Sequence, residues 1–224
     1  MKIIALVPMR HHSERVPEKN YRLCGGLPLF HHILNTLGDV PGLDGIVVDT
    51  DSPVISAGIQ RDFPGVRLLE RPEHLRPGTV SMNDVLVYDA QQEPADYYLQ
   101  THTTNPLLKA ETIAGAIETF KASIPTFDSL FGVTRLQTRL WSEAGEPLNH
   151  NPAELLRTQD LPPVFEENSC IYIFSRARLL SSGNRLGEKP LLFEIDATEA
   201  WDIDEELDFQ IVEFLLDRSD QLSD

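Results

Sequence analysis

Cysteines and long apolar runs are scarce in this chain of 224 residues, and each scarcity argues against a class of protein. The two cysteines, Cys24 and Cys170, stand far apart and in no CxxC or Cys/His metal spacing. We therefore expect two reduced, buried thiols rather than a disulfide framework or a zinc site. No apolar run approaches the roughly 20 residues that cross a bilayer. A cytoplasmic protein without a membrane span is expected.

Positive charge is also scarce, because 19 basic residues face 35 acidic ones and the formal net charge is −16. Such a surface repels nucleic acid, so no nucleic-acid partner is expected. Four of the basic residues nevertheless fall within positions 10–22, namely Arg10, Arg15, Lys19 and Arg22. Cations concentrated in an acidic chain predict a local pocket for a small anion.

The apolar pattern predicts short buried strands that alternate with helices. Strands are predicted over residues 2–8, 45–50, 66–69, 97–102, 129–135, 170–174 and 191–195. Helices are predicted over residues 29–37, 52–61, 81–91, 109–121 and 205–216. This alternation is typical of an α/β fold with a doubly wound, mostly parallel sheet, whose ligands bind at the carboxyl ends of the strands. No linker divides the chain, so residues 1–224 are expected to form one domain.

Two regions near the carboxyl end have patterns of their own. Residues 137–167 are rich in proline and polar residues, which predicts an inserted flap rather than a helix pair. In the last helix, the spacing of Leu207, Ile211, Phe214 and Leu215 predicts that these side chains face the core.

Residues 8–20, PMRHHSERVPEKN, follow the first strand and carry the first candidate site. Arg10, Arg15 and Lys19 supply cations, and Ser13 supplies a hydroxyl donor. A triphosphate under attack needs fixed cations and donors of this kind. The segment contains neither GxxxxGK[ST] nor GxGxxG, so it is not a Walker loop or a dinucleotide fingerprint. From its composition alone, a solvated loop is equally compatible with these residues.

Asp202 and Asp204 flank Ile203 just before the last helix. In an extended segment, alternate residues point to the same side, so both carboxylates can face one pocket. Two hard oxygen ligands beside phosphates suit Mg²⁺. Capping of the helix would explain Asp204 alone but not Asp202.

Six short motifs, in the same order along the chain, resemble the acylneuraminate cytidylyltransferase (CMP-N-acetylneuraminic acid synthetase) family. They are the pattern RxxSxRxPxKN at 10–20, Asp49-Thr50-Asp51-Ser52, Arg71-Pro72 with Thr79-Val80-Ser81 and Asp84, Thr104-Asn105-Pro106-Leu107, residues 159–163 with Asn168 and Ile171-Tyr172-Ile173, and residues 202–208. One such motif is weak, but six in order are specific. In one departure, Gly78 stands where the family usually has an acidic residue.

The resemblance implies a nucleotide-diphospho-sugar transferase type of fold with a small dimerisation excursion around residues 137–195, and a homodimer. It implies an enzyme that transfers CMP from CTP to the anomeric hydroxyl of an acidic nonulosonic sugar, with Mg²⁺ as cofactor and pyrophosphate released. The catalytic residues would be Arg10, Lys19, Asp202 and Asp204, the last two as metal ligands. CTP would contact Arg10, Ser13, Lys19, Asn20, Arg71 and Ser81. The sugar would contact His102, Thr104, Gln159 and Asn168.

Three alternatives stay open at this point. Gln100 competes with His102 for the sugar contact. The second alternative is a synthetase for CMP-3-deoxy-manno-octulosonate (CMP-Kdo), which usually ends the first motif with Gly-Lys-Pro-Leu. This chain has Glu18-Lys19-Asn20 at that place. The difference favours a nine-carbon sugar such as sialic, legionaminic or pseudaminic acid. A non-catalytic sugar-nucleotide binding protein of the same fold would have been favoured by loss of Lys19, Asp202 or Asp204, and all three are present.

Overall fold

The computed structural model describes the backbone of residues 1–222 and the side chains of residues 1–218. Its strands are β1 Ile3–Met9, β2 Leu23–Cys24, β3 Leu27–Pro28, β4 Gly45–Thr50, β5 Arg67–Glu70, β6 Tyr97–Gln100, β7 Ser129–Leu136, β8 Val164–Ser175 and β9 Pro190–Glu194. Its helices are α1 Leu29–Gly38, α2 Pro53–Asp62, α3 Met82–Gln92, α4 Ala110–Ser123, α5 Arg176–Ser182 and α6 Glu206–Leu222. Short 3₁₀ helices lie at Lys19–Tyr21, Glu73–Leu75 and Thr158–Asp160.

Seven strands form one sheet in the order β5-β4-β1-β6-β8-β7-β9. The pairs β5/β4, β4/β1, β1/β6 and β7/β9 are parallel, while β8 runs antiparallel to both β6 and β7. The predicted mostly parallel sheet is confirmed. β1 lies at its centre, and all seven of its residues are buried, as its continuous apolar run predicted.

Helices cover both faces of the sheet, so the doubly wound arrangement is also confirmed. On one face, Ile3, Ala5 and Val7 of β1 belong to the core cluster that includes residues of α1, α2 and α4. On the other face, Ile4 and Leu6 belong to the cluster with residues of α3 and α5. Successive side chains of a strand point to opposite faces, which is why one apolar strand supports two helical layers.

The proline-rich region is shorter than the sequence pattern indicated. β7 and β8 continue as an antiparallel pair, with Val133 opposite Glu167 and Leu136 opposite Val164. The irregular flap therefore covers residues 137–163, and residues 164–194 form β8, α5 and β9, of which both strands belong to the main sheet. Local composition did not reveal this, because the ends of β7 and β8 are polar and pair with each other outside the core.

The predicted core face of the last helix is wrong at Leu207 and Phe214, while Ile211 and Leu215 are half-buried. Leu207 and Phe214 are 65% and 55% exposed, whereas Phe209 and Val212 are buried. Phe209 and Val212 pack in one cluster with Val16. The apolar residues of this helix lie on two faces, one with Leu207 and Phe214 and the other with Phe209 and Val212. Packing against Val16 of the amino-terminal loop buries the second face.

Two further expectations concern the thiols and the membrane. Cys24 and Cys170 are buried and not joined, as predicted, and burial raises the pKa of Cys24 to about 11. Within residues 1–222, no helix combines the length and the apolar character required for a membrane span.

Candidate active site

The cationic segment leaves the carboxyl end of β1 and is held in place by one apolar and one polar anchor. Val16 is fully buried and packs in the cluster that contains Ile203. The Asn20 amide donates to the backbone carbonyl of Arg10 at 2.7 Å, and its carbonyl oxygen accepts from the Thr103 hydroxyl at 2.6 Å. Asn20 thus closes the loop upon itself and fastens it to the segment that follows β6.

A pocket of about 360 Å³ lies inside this loop, and we call it the cationic pocket. It brings together most of the residues predicted to bind nucleotide or sugar, namely Arg10, Ser13, Lys19, Asn20, Arg71, His102 and Thr104, with Arg15 as a further cation. These residues come from the ends of β1, β5 and β6. The carboxyl ends of parallel strands meet at one edge, which explains why distant motifs converge there.

Ser81 lies outside the lining of this pocket. Its side chain caps α3: the hydroxyl oxygen accepts from the backbone N–H of Asp84 at 3.2 Å, and the hydroxyl donates to the Asp84 carboxylate at 2.8 Å. The neighbouring residues Gly78 and Met82 do line the pocket. The helix cap is therefore the visible role of Ser81, and its contact with CTP stays a prediction.

The Asp49-Thr50-Asp51-Ser52 motif supports the pocket from behind. Asp51 accepts from the backbone N–H of His11 at 2.7 Å, and the Ser52 hydroxyl lies 2.8 Å from Nδ1 of the same histidine. Ser52 also caps α2 by accepting from the backbone N–H of Ile55. The motif fixes the start of the cationic loop, and its four residues are not among those that line the pocket.

Arg71 is 2% exposed and is held by Asp49, to which its Nε donates. Asp89 lies beside this pair, and burial together with the Asp49 charge raises the pKa of Asp89 to about 8. One guanidinium balances one carboxylate here. The second acid is therefore neutral at physiological pH, because two buried like charges cannot both ionise at low cost.

Gly78 has a steric explanation in this pocket. A Cβ atom at this position would lie 3.2 Å from a guanidinium nitrogen of Arg10 and 3.3 Å from Glu14 Oε1. The missing side chain leaves room for Arg10 at the wall of the pocket.

Asp202 and Asp204 line a second cavity of about 520 Å³, and we call it the acidic cavity. Its lining includes Glu166, Glu167, Asn168, Asp202 and Asp204. The Asn168 amide donates to the Thr134 hydroxyl at 3.1 Å, which fixes its orientation. A Cβ at Gly132 would lie 2.6 Å from the Asn168 carbonyl oxygen, so this close approach requires glycine.

The two cavities adjoin where the two ends of the chain meet. The Lys19 ammonium donates to the Ile203 carbonyl at 2.5 Å and lies 4.0 Å from Asp204. Arg15 pairs with Asp204 at 2.5 Å. The backbone N–H of Ile203 donates to the carbonyl of Thr104 at 2.9 Å, so the acidic segment is also tied to the end of β6.

Burial changes the acid–base properties of this junction. The pKa of Lys19 is lowered, because the effect of burial exceeds the opposing effect of the Asp202 and Asp204 carboxylates. Burial raises the pKa of Asp202, and a hydrogen bond from Thr104 lowers it. Both groups lie where charge is costly unless a partner of opposite sign is near.

Capping does not account for Asp204. The Asp208 carboxylate accepts from the backbone N–H groups of Asp204 and Glu205, at 3.1 and 2.8 Å, and so caps α6. The Asp204 carboxylate instead faces Arg15, with both side chains about half exposed. Exposed ion pairs of this kind are weak, so Asp204 is available to another cation.

The acid pair fits Mg²⁺ by its chemistry. Oδ1 of Asp202 is buried and has no hydrogen-bond partner among the described residues. No group of three or more His, Cys, Asp or Glu side chains suited to a metal occurs in the described part of the chain. Mg²⁺ typically takes one or two carboxylates and completes its shell with water and phosphate oxygens, so two aspartates beside a cationic pocket match that need.

The predicted sugar contacts are only partly assembled. His102 and Thr104 line the cationic pocket, and Asn168 lines the acidic cavity. Gln159 lies in an exposed 3₁₀ helix of the flap and lines neither cavity. Its contact with the sugar stays a prediction, and within this single chain the geometry does not bring it to the other three.

Sequence reasoning overlooked several residues that organise the site. Val16 and Thr103 position the loop, and Arg185 donates to Gln100 at 2.6 Å beside His102. Each acts through partners about 80 or more positions away in the chain. No local pattern reports such a contact, although the single apolar residue inside a polar loop was a usable signal for Val16.

The fold and the site define an α/β protein with a cationic pocket at the carboxyl edge of its sheet, and comparison with known proteins assigns its family. A family model described as cytidylyltransferase matches residues 4–214. The chain therefore belongs to the cytidylyltransferase family and is an enzyme of that class. The family expected from the six motifs is confirmed.

Individual relatives are similar at modest identity. N-acylneuraminate cytidylyltransferase A of Danio rerio is 27% identical over 94% of this chain, and the chain spans half the length of that relative. CMP-N,N'-diacetyllegionaminic acid synthase of Legionella pneumophila is 29% identical over 97% of both chains. A solved structure of CMP:2-keto-3-deoxy-manno-octonic acid synthetase complexed with CTP aligns with 98% of this chain and with 100% of the chain in that structure. The TM-score is 0.74 and the sequence identity is 17%, so the comparison confirms the fold.

Proposed function

We propose that this enzyme transfers CMP from CTP to the anomeric hydroxyl of an acidic nine-carbon sugar of the sialic, legionaminic or pseudaminic type, with release of pyrophosphate. The observation that carries the proposal is the 2.5 Å contact between Lys19 and the Ile203 carbonyl. This contact joins the cationic pocket to the acid pair, so a triphosphate and a second substrate can meet there. The names of the two curated relatives support the choice of sugar.

In the proposed reaction, this chain positions the substrates and neutralises their charge. Arg10 and Lys19 stabilise negative charge on the phosphates, and Ser13 donates a hydrogen bond to them. Asn20 keeps the loop closed, and Arg71, held by Asp49, lies on the nucleotide side. No covalent intermediate on the protein is required.

We further propose that Asp202 and Asp204 hold Mg²⁺. When bound there, the ion supplies positive charge against the phosphate oxygens. Thr104 orients Asp202 through its hydrogen bond, and Arg15 balances Asp204 until the substrates enter. The sugar would lie between His102, Thr104 and Asn168, with Gln159 contributing from the flap.

A homodimer is part of the same proposal. The flap exposes four large apolar side chains, Trp141 at 52%, Leu148 at 64%, Leu155 at 90% and Leu156 at 45%. Burial of these side chains against a second copy would cover them and would bring flap residues such as Gln159 towards a site.

A pyrophosphate-release assay tests the proposal. The enzyme is combined with each of the four NTPs and with a panel of ulosonic acids that includes Kdo. We expect turnover with CTP and a nine-carbon sugar, and only with Mg²⁺ present. Turnover with another NTP but not CTP would overturn the nucleotide assignment, and a preference for Kdo would support the alternative suggested by the structural neighbour.

A further inference from the structure

Arg185 has surroundings that the proposed reaction does not use. It follows α5, and its guanidinium lies 3.5 Å above the ring of Tyr172. It donates to the Gln100 side-chain oxygen at 2.6 Å and lies 3.9 Å from a carboxylate oxygen of Glu167. Its side chain is 17% exposed. The stacking and the ion pair hold this cation in one orientation.

The orientation of Arg185 determines the orientation of the Gln100 amide. A guanidinium can only donate hydrogen bonds, so the atom of Gln100 that faces it must be the carbonyl oxygen. The Gln100 nitrogen then points the other way, where it lies 3.2 Å from the Thr101 carbonyl and 2.8 Å from Nε2 of His102. Gln100 is fully buried, so its side-chain amide makes its hydrogen bonds to these protein groups and not to solvent.

The Gln100 amide in turn determines the tautomer of His102. The amide nitrogen is a donor, so Nε2 of His102 must accept and carries no proton. A neutral imidazole then carries its proton on Nδ1. Burial and the charges of Arg185 and Lys19 lower the pKa of His102 to about 4, so the ring is neutral near pH 7.

Nδ1 of His102 makes no hydrogen bond to any residue that the structure describes. This nitrogen is also not one of the buried, unpaired side-chain atoms, so a molecule in the pocket can reach it. The histidine lines the cationic pocket. Nδ1–H is therefore an uncharged donor that is available to a ligand. A neutral carbonyl oxygen suits such a donor, whereas an ammonium group offers only further donors and is disfavoured beside it.

We propose that Arg185 and Gln100 are positioning residues that hold His102 as the Nδ1–H tautomer, so that it donates to the acyl carbonyl oxygen of an N-acylated sugar. The second half of this proposal rests on the proposed function, and the first half does not. The relay would make the enzyme select acylated over free amino sugars.

NMR of protein labelled with ¹⁵N-histidine tests the tautomer in the ligand-free enzyme. The signals of His102 are assigned by their absence in His102→Gln. We expect a protonated Nδ1 and an unprotonated Nε2 at pH 7. In Gln100→Glu a carboxylate faces the ring, and we expect Nε2 to become protonated. Arg185→Met frees the amide to turn, so a mixture of tautomers is expected.

Arg61→Met serves as the control for loss of an arginine, because Arg61 is 72% exposed on α2. Wild-type protein with the proton on Nε2 would overturn the relay, and so would an unchanged tautomer in folded Gln100→Glu. Thermal melting establishes that each variant is folded. This measurement needs no turnover, so it stands even if the proposed reaction is wrong.

The sugar half is tested by kcat/KM for a matched pair of substrates, one N-acylated and one with the free amine. We expect Arg185→Met and Gln100→Glu to reduce the preference for the acylated sugar roughly tenfold or more, with little change in KM for CTP. A changed tautomer with an unchanged preference would overturn this half alone. Absence of turnover in the wild type would instead count against the proposed function.

Discussion

The ammonium nitrogen of Lys19 lies 2.5 Å from the carbonyl oxygen of Ile203, which joins the first motif of the chain to the last. The two residues are 184 positions apart. Ile203 stands between Asp202 and Asp204 in the sequence, so the contact holds the partly buried Lys19 ammonium next to the acid pair, 4.0 Å from the Asp204 carboxylate. The proposed chemistry depends on this junction, since the cations and the metal ligands must act on the same triphosphate.

Replacement of Lys19 by methionine should lower kcat by about 100-fold or more, because the charge that offsets the developing phosphate charge is lost. Lys19→Arg should retain part of the rate. Steady-state pyrophosphate release measures both, with Lys121→Met as the control, since Lys121 pairs with Glu118 in helix α4, outside both cavities. Equal rates for wild type and Lys19→Met would contradict the assigned role.

Asp202→Asn should abolish Mg²⁺-dependent turnover and leave the fold intact. The amide keeps the shape of the side chain and an acceptor for Thr104, but it removes the negative charge that holds the ion. Calorimetric titration of Mg²⁺ into the enzyme with CTP should show weaker binding in step with the lost rate. Asp217→Asn, on the exposed side of α6, is the matched control. Full activity in Asp202→Asn would refute the metal role.

Ser81→Ala should lower the free energy of unfolding by about 1 kcal/mol, because the cap of α3 is lost. Ser81→Asn keeps a capping side chain and should restore most of that stability. Chemical denaturation measures both variants. The same proteins test the predicted CTP contact: a KM for CTP that rises in both, regardless of stability, would show that the hydroxyl also touches the nucleotide.

The stability of the protein should fall as the pH rises towards 8 through the titration of Asp89. The pKa of Asp89 is raised to about 8 in the folded state from its usual value of 3.8. The folded state therefore holds a proton that the unfolded state has lost. This contribution is complete below about pH 4 and disappears as the pH rises to about 8, with a slope of at most about 1.4 kcal/mol per pH unit.

Asp89→Asn should remove that slope, since the amide resembles the protonated acid. The quantity to measure is the difference in unfolding free energy between wild type and variant at pH 5.5 and at pH 8.5. The variant should gain relative to wild type at the higher pH. Parallel pH profiles for the two proteins would show that Asp89 is ionised throughout, contrary to the environment that Asp49 and burial create.

Leu155→Asp should convert a dimer into a monomer if the flap forms the proposed interface. Leu155 is 90% exposed, and a charge there would have to be desolvated in a dimer. Light scattering after size exclusion gives the mass of each species. Val54→Asp, at a 49% exposed position on α2, is the control and should leave the mass unchanged. A monomeric wild type at micromolar concentration would end the dimer proposal.

The sequence predicted the alternation of strands and helices and the burial of β1. The reason is local, because an unbroken apolar run is buried on both faces of a sheet. It also identified Arg10, Ser13, Lys19, Arg71, Asp202 and Asp204 through the motifs in which they stand. Those motifs record residue types and short spacings, which a single sequence displays directly.

Only the tertiary structure decided which groups meet. The choice of Phe209 over Leu207 as the buried residue of α6, the extent of the flap and the relay from Arg185 to His102 all depend on partners distant in the chain. Local patterns describe what a segment can bury or donate, whereas packing selects one partner among several that are compatible. The acid pair and the cationic loop were each visible in the sequence, but their contact arises from the burial of Val16 against Ile203.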